Sequence, residues 1–207
     1  MIDVRIETGK SRVFAIAIDW PGWARSGKTE AEAIETLLDY GDRYKQATGA
    51  RVAVMEANVV ERAKGDSGTD FGVPGFPKAD AEDIDARELG RQVKLLRACW
   101  KAFDDAARAA KGKTLTKGPR GGGRTLAKIV EHQAESELAY LAQLGGDRKA
   151  RDPRAAFVEA LDQRRRGELP DTGPRGGRRW TPREAIRRSA WHALDHAWEI
   201  EDRSGGA

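Results

Sequence analysis

Apolar and polar residues alternate over residues 2–8 (Ile-Asp-Val-Arg-Ile-Glu-Thr), the period of a half-buried strand. Gly9-Lys10 turns the chain, and Val13-Phe-Ala-Ile-Ala-Ile18 reads as a second, more buried strand. Pro21 and Gly22 within Asp19-Trp-Pro-Gly-Trp23 predict a turn. Thr29-Glu-Ala-Glu32 has the spacing of a capping box and predicts a helix to about Gln46, with Ala33, Leu37, Leu38 and Tyr44 facing the sheet. Residues 52–60 read as a third strand, and residues 65–77 as a turn-rich connection.

From about Ala81 the period changes from two to 3.6. Leu89, Val93, Leu96, Trp100 and Phe103 make one stripe of a long helix over residues 84–110, with Cys99 beside it as a small core residue. Thr125 is placed to cap a second helix running to about Leu144. Asp152-Pro153 opens a third, through about Arg166. Thr181-Pro182-Arg183-Glu184 opens a fourth, which runs to about Arg203 and stops at Gly205. The expected fold class is α+β: a small ββαβ domain over residues 1–65, a linker over 66–80, and an antiparallel four-helix bundle over 81–207.

Charge divides the chain the same way. Residues 1–80 carry a net −2 and the remainder a net +6. Much of the excess lies in Lys117–Arg124 and Arg175–Arg179, which share the phrase Gly-Pro-Arg-Gly-Gly at 118–122 and 173–177. Each leads into a histidine-bearing helix, so the pair reads as solvated loop charge or as cationic lips around one opening. Neither has phosphate-loop spacing, and neither follows a strand. Trp180 is the only aromatic residue beside them, so nucleic acid ranks last among partners. No apolar run approaches the roughly 20 residues that span a bilayer, and the first residues lack a signal-peptide pattern. With Cys99 as the single cysteine, the expected location is the cytoplasm.

The chemistry concentrates in three histidines. His192 and His196 are spaced i,i+4 and project from one helix face, with Glu199 one turn on. His132 lies on the second predicted helix, near Glu135 and Ser136. Three imidazoles on facing helices suit a divalent metal, with zinc ranked first and nickel or iron as alternatives. Open positions on such a centre would be catalytic in style, and a closed four-ligand site structural. Glu135 and Glu199 are the candidates for a fourth ligand, a histidine-orienting group or a general base. Ser136 and Ser189 are small enough to leave space there. A dinuclear centre using His132-x-x-Glu135 and His196-x-x-Glu199 is a rival, although the usual di-iron order is Glu-x-x-His. Core packing is the expected role of Trp191 and Trp198.

Two resemblances follow from these residues. Phe14-Ala-Ile-Ala-Ile-Asp-Trp-Pro21-Gly22, Ser26-Gly27-Lys28-Thr29 and Glu32-Ala33 resemble the HicB-like domain. This implies its fold; Trp23, in place of a small residue or cysteine, and the lack of a following DNA-binding segment argue against the antitoxin role. Residues from about 85 to 203 resemble the DinB-like superfamily, which includes mycothiol- and bacillithiol-dependent enzymes and maleylpyruvate isomerase relatives. The resemblance rests on His132 and on the closing phrase Arg187-Arg-Ser-Ala-Trp191-His-Ala-Leu-Asp-His196-Ala-Trp-Glu-Ile-Glu-Asp-Arg203. It implies a metal held by His132, His192 and His196. It also implies an enzyme, a thiol S-transferase or hydrolase, that activates water or a low-molecular-weight thiol co-substrate against a small electrophilic substrate. The alternative is a non-catalytic stress-response or binding protein with a structural metal and a partner bound by the N-terminal domain. A homodimer is compatible with either reading.

Overall fold

The computed structural model describes residues 1–53, 56–118 and 122–205. Four strands form one mixed sheet: β1 (Ile2–Thr8), β2 (Val13–Ala17), β3 (Ala24–Gly27) and β4 (Ala57–Lys64), in the order β3-β2-β1-β4. β1 pairs antiparallel with β2, β2 antiparallel with β3, and β1 parallel with β4. A parallel neighbour requires a crossover, which α1 (Glu30–Asp39) and α2 (Gly41–Thr48) provide. Thr29 caps α1 by accepting from the Glu32 amide, and Ala33, Leu37 and Tyr44 are fully buried.

A short helix, α3 (Ser67–Phe71), and a 3-10 turn over Lys78–Ala81 occupy the segment before the long helices. Four longer helices follow: α4 (Ala86–Ala109), α5 (Leu126–Leu144), α6 (Pro153–Arg165) and α7 (Pro182–Ser204). Their starts follow the sequence signals. Asp85, Thr125, Asp152 and Thr181 each accept a backbone amide at the helix N-terminus, and Glu184 completes a capping box with Thr181.

The expected ββαβ unit followed by an antiparallel four-helix bundle is corrected. The described residues form a four-stranded mixed sheet and seven α-helices, and the sheet takes part in the packing of the last helix. In a free-standing bundle each helix keeps a polar outer face. Here α7 is buried nearly all round, from Glu184 to Arg203. α4, α5 and α6 cover part of it, and the β2–β3 turn, strands β2 and β3, the 3-10 turn and Tyr40 cover more. Gly22 in that turn has φ +94°, and a Cβ there would sit 3.0 Å from the Leu194 side chain and 3.2 Å from that of Ala190. Only glycine meets both demands.

A buried arginine ties the two halves together. Arg187 of α7 is ion-paired through Nε and Nη2 to Asp80, and donates from Nη1 to the Ala17 carbonyl (2.8 Å) and from Nη2 to that of Ile18 (2.5 Å). One apolar core accordingly runs from Val4, Trp23 and Leu37 through Leu96 and Trp100 to Leu194 and Ile200.

Three local expectations also change. Ala24–Gly27 pairs as a strand although it is too short and polar to show alternation. The helix expected through Gln46 breaks at Tyr40, whose ring packs against Trp198 at 5.0 Å. The strand expected over 52–60 forms over Ala57–Lys64, and Val54 and Met55 of that expectation lie outside the described residues. No helix among the described residues is long and apolar enough to cross a membrane.

Candidate metal centre

His132 stands in the second turn of α5, and His192 and His196 on consecutive turns of α7. The packing of α5 on α7 brings one ring nitrogen of each to within 4.8 Å of the others. The ring centroids are 4.5 Å apart for His192–His196, 4.9 Å for His132–His192 and 5.3 Å for His132–His196. His192 and His196 are buried and His132 is half-buried, so access is from the His132 side. This arrangement is compatible with a divalent metal.

The neighbours of the rings decide where their lone pairs point. His192 Nδ1 lies 2.7 Å from Gln133 Oε1. The orientation of that amide is set by its other end, because Gln133 Nε2 donates to Glu137 Oε1 at 2.9 Å. The oxygen can only accept, so His192 carries its proton on Nδ1 and presents a lone pair on Nε2. His196 Nδ1 lies 2.8 Å from Glu199 Oε2, and a carboxylate imposes the same tautomer. Both α7 imidazoles thus offer Nε2. His132 Nε2 approaches His192 Nε2 to 3.1 Å, a contact in which His132 supplies the proton when no cation is present.

Each orienting group is itself held. Arg154 grips Glu137 through Nε and Nη2 and reaches Asp104 as well. Arg203, almost wholly buried, donates to Glu199 Oε1 (2.6 Å), to the Thr116 carbonyl and to the Arg124 carbonyl. Buried networks of this kind fix ring orientation and ligand basicity. Burial first, then the neighbouring imidazoles and the Arg188 and Arg124 charges, hold His192 well below the usual histidine range. The same burial, with His196 and Arg124, lowers His132. Burial would raise the Glu199 carboxyl, but His196 and Arg203 together hold it below its ordinary value.

The other candidates separate. Glu199 orients His196, whereas Glu135 is exposed on α5 and acts on His132 only through its charge. Ser189 faces α4 and accepts from Trp100 Nε1 at 3.0 Å, so it opens no space by the rings. Ser136 bonds the Tyr140 hydroxyl. Trp191 and Trp198 are core residues as expected.

The two glycine–arginine segments do not share an opening. The first borders the N-terminal end of α5 and is anchored by Arg203; its residues 119–121 lie outside the described residues. The second lies at the C-terminal end of α5, where Arg179 donates to the Ala142 carbonyl and Arg178 pairs with Glu184. The 19-residue helix between them is about 28 Å long. Sequence reading missed Gln133 and Arg203. Arg203 was legible as the i+4 partner of Glu199, whereas Gln133 carries no signal until α5 is laid on α7.

No family model, curated protein or solved structure matches this chain, so its chemistry is read from the site itself.

Proposed function

We propose that His132, His192 and His196 hold one divalent metal, zinc in the first instance, in an open centre that activates water or a low-molecular-weight thiol for attack on a small electrophile. One observation carries the reading: both α7 histidines are locked as Nδ1–H tautomers by groups that are themselves pinned, so their Nε2 lone pairs are available on the side facing His132. A histidine pair that merely filled the core would also need bonded ring nitrogens, but would not turn both Nε2 atoms toward a third imidazole. The donor set favours zinc, nickel or iron(II). Among the described residues no cysteine or carboxylate joins the three-histidine group, which leaves positions for solvent and substrate. When bound, the metal would lower the pKa of a coordinated water or thiol toward neutrality. Glu199 then acts as a positioning residue through His196, and Glu135 is the exposed carboxylate that could move a proton at the His132 side. The ligand pattern, one histidine on α5 and His-x-x-x-His on α7, also supports kinship with the DinB-like superfamily.

The test is elemental analysis of the untagged protein beside a His192→Ala/His196→Ala double variant. About one metal per chain in the wild type and none in the variant is expected, and would justify screening thiol transfer and hydrolysis. No metal in the wild type, with none taken up on titration, would end the catalytic reading. Metal that binds but exchanges neither water nor added thiol would mark a structural site instead.

A further inference from the structure

Two adjacent arginines of α7 are treated differently. Arg187 uses Nε, Nη1 and Nη2 against Asp80, Ala17 and Ile18. Arg188 donates from Nη2 to the Pro74 carbonyl at 2.7 Å, but its Nη1 is buried with no hydrogen-bond partner. Among the described residues no carboxylate comes within ion-pairing distance of it. A half-buried guanidinium that touches no carboxylate can take an external anion as its partner.

The surroundings indicate which anion would fit. Arg188 lines a cavity of about 440 Å³ that also includes Val73, Pro74 and Phe76 of the segment before α4. Its guanidinium lies 4.9 Å from the Phe76 ring centroid and 5.5 Å from that of Trp191. The nearby carboxylates are engaged elsewhere. Glu7 accepts from Arg5, Thr69 and the Gly75 amide, and Asp66 caps α3. On the other side, Arg188 stands one helical turn before His192, and the Tyr140 ring meets the His192 ring edge-on at 5.7 Å. Arg188 therefore lies between the cavity and the histidine cluster.

We propose that Arg188 forms a carboxylate-binding subsite that takes a small organic acid whose aromatic or apolar body lies against Phe76 and Val73. The Arg188 guanidinium on the wall of this mixed polar and apolar cavity, beside the Phe76 ring, suits a small organic monoanion, and a cavity of this size suits a small molecule. That the acid is the substrate of the histidine centre rests on the metal reading above; the subsite itself does not.

The experiment is calorimetric titration of benzoate, its neutral isostere benzamide and inorganic phosphate into metal-free and zinc-loaded protein, with zinc content measured on the same samples. Wild type should bind benzoate at least tenfold more tightly than benzamide or phosphate. Arg188→Gln should lose at least tenfold in benzoate affinity with unchanged far-ultraviolet dichroism and zinc content, and Arg188→Lys should lose less. Equal binding by wild type and Arg188→Gln, or no benzoate binding by wild type, overturns the subsite. Should Arg188→Gln not fold, the wild-type preference decides: benzamide or phosphate bound as tightly as benzoate overturns it. Benzoate bound without zinc uptake leaves the subsite standing and removes the metal centre; zinc uptake without benzoate binding does the reverse.

Discussion

The molecule contains two buried polar clusters on the same helix, and they are built on opposite principles. At the start of α7, Arg187 meets Asp80 and two sheet carbonyls, and no guanidinium nitrogen is left over. One and two turns further on, His192 and His196 are bonded to fixed groups on their outer sides, and among the described residues the only inner hydrogen-bond contact is the one between His192 and His132. Their Nδ1 atoms have partners, while their Nε2 atoms turn toward a space shared with His132. The first cluster is closed and joins the sheet to the helices. The second keeps donor capacity in reserve, which costs stability unless something is bound there. A buried polar group with every bond made needs no function to explain it, whereas one aimed at a common centre does.

The contrast can be broken first at the closed cluster. Asp80→Ala leaves the Arg187 charge buried and unmatched, and should cost about 3–5 kcal/mol in denaturant unfolding. A loss below about 1 kcal/mol would mean that water reaches Arg187 and that the two halves are not joined there.

At the open cluster the expectation is reversed: metal affinity moves and folding does not. Gln133→Leu removes the acceptor that fixes the His192 tautomer and should weaken zinc binding about 10–100-fold. The midpoint of unfolding of the metal-free protein should change little. Unchanged affinity in competition with a chelating dye would show that the His192–Gln133 bond orients nothing.

The smallest effect concerns a buried group outside both clusters. The Tyr44 hydroxyl donates to the Pro21 carbonyl at 3.0 Å, and burial pushes the phenol well above its usual value near 10. The unfolded chain releases this proton above about pH 10 while the folded chain retains it, so stability present below that pH is lost as pH rises. Tyr44→Phe should lower stability at pH 8 by about 1 kcal/mol and fall less steeply than wild type between pH 9.5 and 11. Parallel alkaline slopes for the two proteins would show that Tyr44 does not hold its proton against the unfolded state.

The sequence was most legible where a signal is local. The caps at Thr29, Thr125, Asp152 and Thr181 set helix starts within a residue or two, because a side chain three positions from an amide needs no tertiary partner to bond it. The stripe Leu89, Leu96, Trp100 and Phe103 is buried as its spacing predicts. The i,i+4 pair His192 and His196 was likewise fixed by helix geometry alone. Strand β3 was illegible because four residues, Ala-Arg-Ser-Gly, with the first two buried and the last two half-buried, carry too little periodicity. The break at Tyr40 was also hidden, since the pattern of α1 continues through it.

The sequence alone therefore determined the four long helices, the placement of three histidines on two of them, and the division of charge along the chain. Tertiary structure decided the rest. α7 is enclosed by the sheet as well as by helices, which a helical period cannot reveal, since it reports a helix's own faces and not what covers them. Packing of α5 on α7 brought His132 to the pair and Gln133 behind His192. It also left the neighbours Arg187 and Arg188 in opposite states, one matched on every nitrogen and one half-buried with its Nη1 unpartnered. Adjacent residues on a helix point about 100° apart, and what each meets there is set by elements distant in the chain.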